Sequence, residues 1–181
     1  MRPNLMQPAL GALLLFLALP LSRAAEPAPR AQAVLDAPLE KVWDATVASL
    51  RDGGYRISRE RRSSGFVEGQ LGKPIRYGGE EDPFAELKRI SRFEESIPDV
   101  RVSSEYRVIV NVEVHQAEPE RTRVDVRGQI VAVERRRGRR GMPRPIPLVS
   151  RGVVEEELLQ HIRERLGLGG AARPPEGLPS P

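Results

Sequence analysis

Residues 35–71 read LDAPLEKVWDATVASLRDGGYRISRERRSSGFVEGQL, and this stretch decides the fold. It divides into one capped amphipathic helix, a Gly-Gly stop and two short strands. Asp36 is placed to act as N-cap, its carboxylate accepting a first-turn N–H. Pro38 follows where a missing N–H costs little. Glu40 and Asp44 put negative charge near the positive end of the helix dipole. Leu39, Val42, Trp43, Thr46, Val47 and Leu50 recur at spacings of three and four, which makes one apolar stripe. Trp43, the single Trp, is expected in the core between helix and sheet; the other use of a Trp is as an interface anchor. Gly53 and Gly54 stop the helix, because glycine takes the left-handed position after it without steric cost. Tyr55 and Ile57 then alternate with Arg56 and Ser58, the period of a half-buried strand. Ser63, Ser64 and Gly65 turn the chain, and Phe66 to Leu71 returns as the second arm of a hairpin.

Upstream of this unit, residues 1–24 read as an export signal. Arg2 and the amino terminus form a positive n-region. Ala9 to Leu21 is an uncharged apolar run, short for crossing a bilayer. Ser22-Arg23-Ala24 offers small residues for cleavage after Ala24, so the expected location is the periplasm or the exterior. A retained signal anchor is the alternative. Residues 25–30 are a Pro-Ala linker. The chain of 181 residues contains no Cys, so an exported form has no disulfides and depends on its core. The formal net charge is +4; removal of 1–24 takes Arg2 and Arg23 and no acid, which leaves a value near +2. Residues 167–181 are Gly- and Pro-rich and read as a disordered tail. Residues 31–166 are enough for one domain with one core.

Downstream, Asp82-Pro83 is a second cap and first-turn pair, with Phe84, Leu87 and Ile90 at a spacing of three. A short helix over 83–92 follows, either as a lid over a cavity or as a packed connector. Tyr106, Val108, Val110, Val112 and Val114 alternate with Arg107, Ile109, Asn111, Glu113 and His115, the clearest strand in the chain. Thr122 to Val133 returns antiparallel, with Gly128 on its apolar parity marking a bulge or a close helix approach. Met142 to Pro147 is extended, since its prolines exclude a helix. The last helix runs from Ser150–Gly152 to about Leu166, with Val154, Leu158, Ile162 and Leu166 as its stripe. Glu155, Glu156 and Glu157 match its dipole as surface acids, and Gly167 suits its C′ position.

The order of elements predicts an α+β, two-layer domain: an antiparallel sheet of four or five strands with two main helices on one face, helix-grip-like. Ala37-Pro38-Leu39-Glu40-Lys41-Val42-Trp43, Leu50, Gly54-Tyr55-Arg56-Ile57 and Ser64-Gly65-Phe66-Val67 together resemble the repeated domain of the BamC (NlpB) lipoproteins of the outer-membrane β-barrel assembly machinery. That resemblance implies a BamC-like domain in the cell envelope with no reaction of its own. The chain differs from BamC in having no lipidated Cys and room for one domain rather than two.

Chemistry-bearing constellations are sparse. Two His and no Cys give no metal-ligand spacing. Ser150 with Glu155 or His161 makes a triad only on paper, because no G-x-S-x-G elbow exists and a Ser before a helix usually caps it. No phosphate loop or dinucleotide fingerprint occurs, and no cofactor is expected. Arg135, Arg136, Arg137, Arg139 and Arg140 form the densest charge run, a candidate contact for anionic lipid headgroups or an acidic envelope protein; the bland reading is a solvated loop. Nucleic acid is not expected, given the export signal and the missing interleaved aromatics. The expected function is a non-catalytic, exported envelope interaction module. The alternative is a binder of a small apolar ligand or lipid between sheet and helices, with Phe84, Leu87 and Ile90 as lid. A cavity of several hundred Å³ would favour the alternative.

Overall fold

A computed structural model describes residues 29–78, 82–92, 103–134 and 144–169. The elements in chain order are β1 (Arg30–Leu35), α1 (Leu39–Asp52), β2 (Arg56–Arg61), a 3-10 turn (Arg62–Ser64), β3 (Phe66–Pro74), α2 (Ala85–Ile90), β4 (Ser103–Glu118), β5 (Arg121–Glu134), β6 (Arg144–Leu148) and α3 (Val153–Arg165). The strands form one antiparallel sheet in the order β1-β5-β4-β3-β2, with β6 also paired to β5. The domain is therefore α+β with its helices on one face, as the element order predicts, but the sheet has six strands rather than four or five. The added strand is the proline segment. Pro145 and Pro147 lie opposite Val133 and Val131 of β5; an outer strand tolerates proline because the missing N–H is not needed by a further neighbour.

The core sits between the sheet and α1 and α3. Val108, Val110, Val112 and Val114 of β4 and Val124, Val126, Ile130 and Ala132 of β5 are all buried. They join Val42, Trp43 and Leu50 of α1 and Leu158, Leu159 and Ile162 of α3 in one cluster. Trp43 is thus a core residue, in the same cluster as Tyr106, Val108, Val110 and Val112.

Helix ends follow the sequence in part. Gly54 takes the left-handed conformation (φ 78°) just past α1, and Tyr55 N–H closes on Leu50 O at 2.9 Å. After α3, Gly167 is left-handed and Leu168 N–H donates to Arg163 O at 2.8 Å, a helix-ending pattern in which a left-handed residue lets carbonyls of the last turn be satisfied. At the start of α1, however, Pro38 holds the N-cap position and no side chain caps it. Asp36 instead pairs with Arg121, at 3.1 Å. The reason is local geometry: Ala37 N–H bonds Leu35 O, a tight turn that leaves Asp36 two residues before the Pro38 cap position, too early for a first-turn N–H. The readings for 1–24 and for the linker up to residue 28 lie outside the described residues, as do those for the tail beyond 169 and for the Arg135–Arg140 run.

Candidate functional site

Among the described residues, the helices cover one face of the sheet and leave the other open. Residues directly opposite on adjacent strands share a face, so the register identifies that open face. Val67, Val112, Val126 and Ala31 form one cross-sheet row towards the helices. The adjacent row, Arg59-Glu68-Asn111-Arg127-Arg30, points the other way and crosses all five strands from β2 to β1. With strands about 4.8 Å apart, that row spans roughly 19 Å.

Further rows add Arg56, Arg61, Arg107 and Arg123 to the same face. Its acids are Glu68, Glu105, Glu113 and Asp125. The surface is therefore cationic and its positive charge is entirely arginine, apart from any protonated His115. Arg107 is held by Glu105 at 2.8 Å and Arg123 by Asp125 at 2.9 Å. Glu68 is drawn to Ser58 and Gln70, and these hydrogen bonds, that of Ser58 first, hold its carboxyl below the usual range. Arg30, Arg56, Arg59, Arg61 and Arg127 are exposed and form no ion pair among the described residues. Arg30 and Arg127 are direct cross-strand partners, a like-charge pairing that weakens a sheet.

On the helix side, a cavity of about 140 Å³ lies where the end of α1, α2, α3 and the β3–β4 pair meet. Leu71, Ile90, Val108, Val154 and Leu158 form its apolar walls, and Ser49, Tyr55, Tyr106 and His161 its polar ones. Arg89 at its rim donates to both carboxylate oxygens of Glu86, at 2.8 and 3.0 Å, and also to Glu157. The Arg89 hydrogen bond holds Glu86 below its usual range, and Glu86 first, then Glu157, holds Arg89 above its own. Burial pushes the Tyr55 and Tyr106 phenols up to about 12, with nearby carboxylates adding to the effect. A shallower depression between the ends of α1 and α3, about 520 Å³, shares Ser49, Gly53 and His161 but is more open to solvent.

The candidate lid residues Phe84, Leu87 and Ile90 lie on or beside α2 and pack against the core. Leu87 and Ile90 are buried in the core cluster, and Phe84 is partly buried in an edge-to-face contact with Tyr77 at 5.8 Å. The end of α2 is tied down by a Ser91–Ser150 bridge and by Arg92 N–H on Val149 O and Arg151 N–H on Ile90 O. Of the three lid residues, Ile90 alone lines the cavity.

Ser150 and Glu155 do meet, but not as chemistry. Ser150 Oγ donates to Glu155 Oε2 at 3.0 Å and accepts from Gly152 N–H at 3.0 Å, and both residues are buried. Glu155 is thus not the surface acid that dipole matching suggests; Glu156 and Glu157 are exposed. Its other oxygen accepts from Gly128 N–H at 3.1 Å, so Gly128 marks a close helix approach rather than a bulge. Among the described residues no group of three or more His, Asp or Glu side chains could hold a metal, and no helix is long and apolar enough to cross a membrane. Sequence reading missed the arginine face; only β2 and β5 carry more than one arginine, and β3 carries none.

No family model matches the chain, and no curated protein matches it. Among solved structures, a DUF4468 family protein from Bacteroides ovatus is similar at 12% identity and a TM-score of 0.33, covering 81% of this chain and 90% of that one. The Zhui aromatase/cyclase from Streptomyces sp. R1128 is similar at 16% identity and a TM-score of 0.28, covering 78% and 86%. Scores this low say nothing of function.

Proposed function

We propose that the domain is an exported, non-catalytic interaction module that docks its open sheet face on anionic lipid headgroups of the cell envelope. The observation that carries this reading is the sheet face that no described helix covers, with five exposed arginines that form no ion pair among the described residues. A guanidinium matches phosphate in a two-pronged geometry, and each Arg near an anionic surface contributes on the order of 1 kcal/mol. The run Arg135, Arg136, Arg137, Arg139 and Arg140 lies between β5 and β6 in sequence and is a second candidate contact for the same headgroups. The signal-like residues 1–24, cleaved near Ala24, supply the route to the periplasm, and the BamC-like stretch 37–67 supports an envelope setting. The competing reading, a carrier of lipid or a larger apolar ligand, needs a largely apolar site of about 300–1,000 Å³; the cavity holds about 140 Å³, and the adjoining depression of about 520 Å³ is open to solvent and lined by polar side chains such as Asp52, Glu164 and Arg165.

Co-sedimentation with vesicles tests the proposal. Binding to phosphatidylglycerol vesicles, with none to phosphatidylcholine, is expected. It should weaken as salt shortens the screening length below about 8–10 Å. Equal binding to both lipids, or to neither, would refute it.

A further inference from the structure

We propose that the cavity beneath α2 binds a small neutral ring compound bearing one hydroxyl, a ligand of the phenol class. This goes beyond the sheet-face reading and does not depend on it. Size sets the first limit: about 140 Å³ is close to the roughly 150 Å³ of an apolar cavity that holds benzene. Leu71, Val108 and Leu158 give a ring its apolar walls.

A hydroxyl is required by what those walls leave undone. Ser49 lines the cavity from the last turn of α1. It is 3% exposed, and its Oγ has no hydrogen-bond partner among the described residues. An unmade hydrogen bond at a buried hydroxyl is unfavourable, so an occupant that brings a hydroxyl of its own is favoured over a bare ring. Tyr106 also lines the cavity and brings a second neutral hydroxyl to it.

Charge sets the last limit. Lys73 and Arg89 at the rim are matched by Glu86 and Glu157. An ionised ligand would shed water without gaining a counter-charge, which is costly.

The test uses the full chain, followed by amide-resolved NMR during titration with phenol, benzene and benzoate. Phenol should shift residues around Ser49 and Val108 with a dissociation constant on the order of a millimolar or tighter. Benzene should bind more weakly and benzoate should not bind. Ser49→Ala should weaken phenol by about five- to tenfold and leave benzene unchanged. Tyr106→Phe, which keeps the ring, is the second variant should Ser49→Ala fail to fold, and it should likewise weaken phenol selectively. Absence of phenol shifts at the cavity, as when water alone fills it, would overturn the proposal. So would an unchanged phenol affinity in the folded variants.

Discussion

The Glu155 carboxylate sits 3.1 Å from the Gly128 N–H, at the one place where β5 has no strand on that side. The β1 pairing ends at Arg30↔Arg127 and the β6 pairing begins at Leu148↔Ile130. Glu155 reaches down from α3 into the gap and supplies the missing acceptor. A Cβ there would lie 2.8 Å from Glu155 Oε1, so a larger residue must displace the carboxylate. Gly128→Ala should therefore push the carboxylate off its donor and cost about 1–3 kcal/mol. Glu155→Ala should cost at least as much, since it also leaves Ser150 unpaired, whereas Glu155→Gln keeps an acceptor and should cost less. Urea unfolding measures all three; a Gly128→Ala domain as stable as the parent would mean that the carboxylate has another resting place.

Trp43 is 2% exposed and belongs to the core cluster. Trp43→Ala should cost about 3–5 kcal/mol, lost burial plus the cavity left behind. A loss below ~1 kcal/mol in urea unfolding would be that of a surface residue.

Alkaline pH should destabilise the domain through Tyr55 and Tyr106. An unfolded tyrosine titrates near 10, and burial lifts Tyr55 and Tyr106 to about 12. The fold thus prefers the neutral phenols. Their contribution is complete below pH 10 and is lost as pH rises from there through 12. Urea midpoints measured from pH 8 to 11.5 should fall above pH 10, and less steeply in Tyr106→Phe. Identical slopes would show Tyr106 to be solvated.

How much of this was legible in the chain follows from the range of each interaction. The α1 stripe from Leu39 to Leu50 and the valine alternation from Tyr106 to Val114 are local periodicities, and they led to the right layers. The strand at Arg144–Leu148 was hidden because proline argues against a strand unless its unneeded N–H side is known to face outward, which depends on β5. Glu155 misled because its neighbours Glu156 and Glu157 share its dipole logic, while its partner Gly128 lies 27 residues upstream. The arginine face was hidden for a similar reason. Arg30, Arg59 and Arg127 are unremarkable in their own strands and become a row only through the register of four strand pairings. The cavity draws its lining from three helices and two strands, which no single stretch of sequence could reveal.

The row itself makes a separate prediction about stability. Arg30 and Arg127 face each other without an intervening acid. Arg30→Glu should replace repulsion with a cross-strand pair and raise stability by roughly 0.2–1 kcal/mol. A clear loss on thermal unfolding would mean that Arg30 already has a favourable role within the fold.

The direct test of the docking face compares two variants of the chain lacking residues 1–24 on phosphatidylglycerol vesicles at low salt. Arg30, Arg59 and Arg127 are replaced by Gln in one, and Arg136, Arg137, Arg139 and Arg140 by Ser in the other. The face variant should bind about a hundredfold more weakly while its melting temperature stays near that of the parent, and the loop variant should weaken binding as well. Full-strength binding by the face variant, with the loop variant alone losing it, would contradict the assignment of the open sheet face as the contact surface.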